Sequence, residues 1–141
     1  METLPVSTGR AELVRDARNL ARGRMVLGAF VLAAPQVARR VFGFPAAHVN
    51  PSAVAFARLY ALRELVLGLQ LWRETDDGTP RLDTVRWNTI VDGVDAAMMW
   101  WLVATRRDLG RGPATVAVFA SVVTAQWWRL WRRMEEAGRG A

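Results

Sequence analysis

The chain contains no cysteine, no lysine, a single histidine (His48) and a single tyrosine (Tyr60). Without cysteine there is no disulfide, no thiolate nucleophile and no Cys-based metal site. One histidine also rules out bis-histidine haem ligation and any multi-histidine metal site. No nucleophile–base pair or glycine-rich phosphate loop stands out, so neither a cofactor nor a metal is expected and an enzymatic role is disfavoured. With lysine absent, all 19 basic residues are arginine; against 13 acidic residues they give a formal net charge of +6. A basic balance suits nucleic acid when a basic face also carries stacking aromatics. Here the arginines flank apolar segments, which suits anionic lipid headgroups, and no nucleic-acid partner is expected.

Hydrophobic residues make up 52% of the 141 residues and charged residues 23%, a composition that fits either a helical bundle in water or a membrane protein with charged ends. Distribution discriminates better. Charges gather at residues 2–24, 73–86, 106–111 and 129–139, with mostly apolar stretches between them. The length suits one domain, 1–141. It divides into an N-terminal amphipathic segment (1–21), a four-helix bundle (22–133) and a tail (134–141).

Leu13, Ala17, Leu20 and Ala21 recur at helical spacing, with Arg10, Arg15, Arg18 and Arg22 largely off that face. That pattern predicts a short amphipathic helix lying at a membrane surface. The first apolar run, Met25 to Ala38, is shorter than the roughly 20 residues that cross a bilayer, and snorkelling by Arg24, Arg39 and Arg40 would lengthen it. Pro35 is expected to kink this helix, not to end it. Phe44–Ser52, with Pro45, Asn50 and Pro51, reads as a loop. A second helix is predicted from about Ser52 to Trp72, a third from about Val85 to Thr105 and a fourth from about Pro113 to Arg133. Ala114 to Trp128 carries no charge and makes the fourth the cleanest span. The predicted fold class is therefore all-α, a four-helix transmembrane bundle with a short N-terminal amphipathic helix.

On four spans, twelve arginines fall on the side of the two termini and the 73–86 loop, and five on the other. The positive-inside rule then puts both termini in the cytoplasm. Trp72, Trp87, Trp127, Trp128 and Trp131 would form an interfacial belt on the cytoplasmic side, with Trp100 and Trp101 toward the other. The expected location is the cell membrane, multi-pass, and the expected partners are the lipid bilayer and a membrane protein or further copies of the chain.

Asn88, Asp92 and Asp95 stand at i, i+4 and i+7 and form one stripe on the third helix. An antiparallel hairpin through the 73–86 turn brings Arg63 and Glu64 of the second helix to their depth, with Arg58 one to two turns further out. Charge at mid-bilayer costs at least about 2.5–3.5 kcal/mol, so these groups should face inward and find partners. Two arginines, Arg58 and Arg63, against three carboxylates leave one carboxylate without a counter-charge. Tyr60, one turn before Glu64, would be placed to donate to a ligand or simply to pack. The cluster reads either as a salt-bridge knot locking two helices or as a polar pocket for an ion, proton or small ligand.

Small residues repeat every four positions at Ala117, Ser121 and Ala125 and at Gly93 and Ala97, a pattern that lets helices approach. Val-Leu-Gly occurs twice, at 26–28 and 66–68. The segments Arg24–Gly28 (RMVLG), Arg58–Gly68 (RLYALRELVLG) and Asp92–Asp95 resemble small four-helix integral membrane proteins of actinobacteria, DoxX-like in outline, over roughly residues 22–131. The resemblance implies four membrane helices and no established activity. The expected role is an accessory, scaffolding or regulatory membrane component. The alternatives are a ligand-, ion- or proton-handling bundle, or a membrane enzyme acting on a lipophilic substrate in the same pocket.

Overall fold

The computed structural model describes residues 6–139. They form α1 (Val6–Ala33), α2 (Pro35–Phe42), α3 (Pro51–Asp76), α4 (Leu82–Thr105) and α5 (Gly112–Arg139), with 3-10 turns at Ala46–His48 and Arg107–Leu109 and no strand among the described residues. The predicted second, third and fourth helices are α3, α4 and α5. No separate surface helix precedes the first one. Residues 1–5 lie outside the described part, and α1 runs unbroken from Val6 through Arg24. The reason is packing: Ala17, Ala21, Arg24, Gly28 and Val31 fall on one face at spacings of four, three, four and three, and all are buried. At the other end α5 continues through the expected tail as far as Arg139.

Pro35 does more than kink. Ala34 leaves the helical region (φ −134°, ψ 59°), as a residue preceding proline tends to, and Pro35 opens a new helix as its first residue. The two axes are bent by 114°. Gly43 then ends α2 in the left-handed conformation (φ 84°), its N–H donating to the carbonyls of Arg39 and Arg40. Asn50 caps α3 by accepting the Ala53 N–H at 2.8 Å, with Pro51 next. Glu74 closes the α3–α4 turn by accepting from the Arg81 N–H (3.1 Å) and the Thr84 hydroxyl (2.7 Å).

The long helices pack as two antiparallel pairs, α1 with α3 and α4 with α5. The first pair approaches closely because of the two Val-Leu-Gly glycines. A Cβ on Gly28 would meet the Ala61 carbonyl oxygen at 2.6 Å, and one on Gly68 would meet Met25 Cγ at 2.8 Å and the Ala21 oxygen at 3.0 Å. Each glycine thus opens a slot for the opposite helix, and Ala21 and Ala61, fully buried, complete the seam. Of the small-residue faces predicted for the second pair, Ala117 is buried and Gly93 faces Thr124, whereas Ala97 and Ala125 are exposed.

The pairs join firmly at the end carrying the α1 start, the α3–α4 turn and the α5 finish. Leu13, Ala17, Ala21, Leu71, Val85, Trp127 and Leu130 form a core there. Arg18 reaches Asp76 (2.7 Å), and Arg133 reaches Asp16 (2.6 Å) and Glu12 (2.9 Å). Trp127, expected in an interfacial belt, is fully buried in that core. Its place on the α5 face shared by Ala117 and Leu130 turns it inward. At the opposite end His48 lies 2.9 Å from the Asp108 carbonyl oxygen. There the Arg106 guanidinium, hydrogen-bonded to the Asp108 carboxylate, holds that carboxyl below its usual range.

Among the described residues no single helix is long and apolar enough to cross a membrane; the bent pair α1–α2, taken from Gly9, passes that test together. Embedded charges dilute α3 and α4, and the charge-free part of α5 falls short of about 20 residues. The outer surface is nevertheless apolar around the middle of the bundle: Val26, Phe56, Leu59, Val66, Val94 and Trp101 are each more than half exposed.

Replacing Gly28 or Gly68 by alanine is expected to destabilise the protein by about 1–3 kcal/mol, because overpacking must push the helices apart. Gly23→Ala, whose Cβ would enter open space, should instead stabilise by up to about 1 kcal/mol through helix propensity. Unfolding of the three variants followed by circular dichroism checks both signs.

Candidate functional site

Arg24 stands on the buried face of α1, Glu64 on that of α3 and Asp92 on that of α4, each near the middle of its helix. The Arg24 guanidinium forks between the other two. Its Nη1 donates to Glu64 Oε2 at 2.5 Å and its Nη2 to Asp92 Oδ1 at 2.7 Å. All three side chains are at least 91% buried. The fork therefore ties the α1–α3 pair to the α4–α5 pair. Its plane lies 5.3 Å from the centre of the Trp127 ring, a cation–π contact that covers the remaining face.

Arg63, half-buried, extends the network outward. Its Nη2 and Nε donate to Glu64 Oε1 at 2.9 and 3.3 Å, and its Nη1 and Nη2 reach the two oxygens of Asp95. The Tyr60 ring lies 4.8 Å beneath this guanidinium. Five of the six carboxylate oxygens of Glu64, Asp92 and Asp95 are thereby taken by arginine. The sixth, Asp92 Oδ2, is buried and has no partner. Two guanidinium charges against three carboxylates leave one negative charge in excess.

Of the residues singled out from the sequence, Arg63, Glu64, Asp92 and Asp95 thus meet in one network, with Tyr60 against its edge. Arg58 does not join; it is exposed, and among the described residues it makes no ion pair. Its position, six residues before Glu64 on α3, turns it to the outside. Asn88 is buried, but its Nδ2 donates to the Thr84 carbonyl of its own helix at 2.7 Å and its Oδ1 is unpartnered. The residue that sequence reasoning missed is Arg24, assigned to snorkelling at the end of the first apolar run. The signal for it was the spacing Ala17, Ala21, Arg24, Gly28, which places the arginine on a stripe of small residues.

A groove between the two helix pairs runs past this network, from Asp16 and Arg133 near the joined end to Leu27 and Met98 beyond it. This cleft has a volume of about 990 Å³, with Arg24, Glu64, Asp92 and Asp95 on its wall. Leu27, Met98, Met99, Val116 and Phe119 make much of the lining apolar, and Asp16, Asn19, Arg129 and Arg133 give it a polar end. Ligand oxygens of Glu64, Asp92 and Asp95 lie within 4.8 Å of one another, close enough to share a metal ion. The arginines occupy those same oxygens, so a hard divalent ion would have to displace two charge-assisted hydrogen-bond donors from Glu64 and Asp95. The arrangement is better suited to a single positive charge bearing an N–H or O–H donor. Compared with protein-family models, curated proteins and solved structures, the chain matches none.

Removing Arg24 leaves buried Asp92 with no donor and buried Glu64 with Arg63 alone, a loss of about 3–5 kcal/mol. Arg24→Met should therefore destabilise more than Arg63→Met, because Arg63 and its partner Asp95 are both partly exposed, while Arg58→Ala should stay within about 0.5 kcal/mol of the parent. Denaturant unfolding of the three variants tests that order, and equal losses for Arg24 and Arg58 would refute it.

Proposed function

We propose that the protein is a multi-pass membrane bundle that takes a small ligand, ion or proton into the cleft between its helix pairs. The observation that carries this reading is the 990 Å³ cleft with Arg24, Glu64, Asp92 and Asp95 on its wall, where Asp92 keeps one buried oxygen without a donor. A buried acceptor without a donor costs about 1–3 kcal/mol or more.

The membrane setting is supported by the inside-out distribution of polarity. Charges sit in the middle of the bundle and large apolar side chains outside at the same depth, the reverse of what water selects. Mutual pairing of Arg24, Arg63, Glu64, Asp92 and Asp95 lowers the cost of charge within α3 and α4, so the four helices would enter lipid as a unit more easily than any one alone. The positive-inside rule orients the end with both termini toward the cytoplasm. An accessory or scaffolding role is the second reading. It is favoured by the five carboxylate oxygens that are paired, which fix the register of the two helix pairs.

Because the chain has no cysteine, single cysteines report on its surface without background. The protein should remain in the membrane fraction after carbonate extraction. In those membranes Gly23→Cys, on the cleft, should react with a water-soluble methanethiosulfonate, and Val26→Cys, on the outer face, should not. Both should react in SDS. Release of the protein by carbonate, or equal reactivity at 23 and 26, would remove the membrane setting; an inert Gly23→Cys would remove the open cleft.

A further inference from the structure

The end of the bundle opposite the core around Trp127 is built from α2, the 3-10 turn at Arg107–Leu109 and the starts of α3 and α5. It carries Arg39, Arg40, Arg58, Arg106, Arg107 and Arg111 against one carboxylate, Asp108. At the joined end, residues 10–22, 73–86 and 129–139 interleave eleven arginines with eight carboxylates. Most of the excess positive charge therefore sits at the α2 end. We propose that this end is a docking surface for anionic phospholipid headgroups, with α2 lying in the plane of the bilayer interface. This step rests on the membrane setting proposed above.

The bend of 114° after Ala33 turns α2 across the end of the bundle, so that it does not continue along the bundle axis. Packing holds it there. Ala38 is buried, a Cβ on Gly112 would meet the Phe44 ring at 2.4 Å, and one on Gly43 would lie 3.4 Å from Arg111 Cβ. These contacts bring the last turn of α2, with Arg39 and Arg40, against Arg111. Two of the six arginines serve the local fold: Arg39 donates to the Phe44 carbonyl at 2.6 Å and Arg106 to the Asp108 carboxylate at 3.1 Å. Arg40, Arg58, Arg107 and Arg111 are exposed and make no ion pair among the described residues, which leaves four guanidinium groups open to phosphate oxygens. An apolar rim accompanies them. Val37 and Val41, four residues apart on α2, are both exposed. Phe56 on α3 and Trp101 on α4, also exposed, stand within about a turn and a half of the same end. Lipid satisfies both parts of the surface, because an interfacial helix sinks its apolar side chains among the acyl chains while its arginines meet the headgroups. Nucleic acid would meet the charge but leave Val37 and Val41 in water, and valine offers no platform for stacking bases.

The test places one bimane label on the full chain, at Ala47→Cys beside the arginines or at Thr79→Cys at the joined end, both exposed positions. The labelled protein is reconstituted in phosphatidylcholine nanodiscs containing brominated phosphatidylglycerol or brominated phosphatidylcholine, whose bromines quench a neighbouring label. At position 47 phosphatidylglycerol is expected to be preferred at least about fivefold, the factor for one arginine at an anionic headgroup. The preference should vanish when Arg40→Gln, Arg107→Gln and Arg111→Gln are combined, with the unfolding midpoint kept, and should fall steeply in about 1 M salt. At position 79 it should be weaker and indifferent to those three substitutions. Equal quenching by the two lipids at position 47, or a preference that the triple variant retains, would overturn the proposal. So would loss of the preference on adding duplex DNA at equal phosphate, which would assign the arginines to nucleic acid. A protein that resists carbonate extraction but shows no preference at position 47 would keep the membrane setting and lose only the docking surface. A preference at position 47 in a protein that carbonate releases would keep the docking surface and remove the spanning helices.

Discussion

A guanidinium held between two carboxylates from two other helices is the constraint on which the remaining structure depends. Arg24 is the sole side chain in the fork that hydrogen-bonds across both helix pairs, at 2.5 Å to Glu64 and 2.7 Å to Asp92. Because each partner stands near the middle of its helix, the fork sets the relative height of α1, α3 and α4 together. Charges buried this deeply are tolerated only when paired with good geometry. The pairing is therefore a specification of register as much as a source of stability. Close packing brings the groups into reach: Gly28 and Gly68 let α1 and α3 meet backbone to backbone, which places Arg24 beside Glu64 instead of a helix diameter away.

The same arrangement explains why a cleft exists. Two tight antiparallel pairs are joined at one end by the core around Trp127, in the middle by the fork, and at the far end by α2 and Phe44 against the start of α5. The space left between them is bounded on one side by the odd carboxylate. Packing within each pair, pairing between them and an unfilled acceptor thus follow from a single disposition of small and charged residues. Five charged side chains meet between the pairs, while Val26, Phe56, Leu59 and Val66 stand exposed on the outer faces.

Much of this was legible in the residues. Period and loop composition located α3, α4 and α5 to within a few residues, whereas α1 starts some twenty residues before the predicted first span and stops at Pro35; the i, i+4, i+7 stripe on α4 pointed at Asp92 and Asp95. The reading of Arg24 went astray because an arginine at the edge of an apolar run has a ready explanation in snorkelling. Only the alternation of alanine and glycine around it argued otherwise. Arg58 was included by charge and proximity in sequence, but six residues, about 1.7 turns of helix, before Glu64 it falls on the outer face. Trp127 and Trp128 illustrate the same limit: adjacent and chemically identical, they sit one buried and one exposed, a difference that depends on the α5 stripe through Ala117 and Leu130. Neither the pairing of α1 with α3 nor the cleft was readable, since both depend on which helix faces which.

The most direct measurement is a double-mutant cycle on Arg24 and Asp92, the contact that crosses between the helix pairs, using Arg24→Met, Asp92→Asn and the double variant in denaturant unfolding. A buried fork predicts strong coupling, on the order of 1.5–3 kcal/mol, with the double variant more stable than the sum of the single losses allows. Additive losses within about 0.5 kcal/mol would mean that the two side chains act independently. The two helix pairs would then be held together by something other than this ion pair.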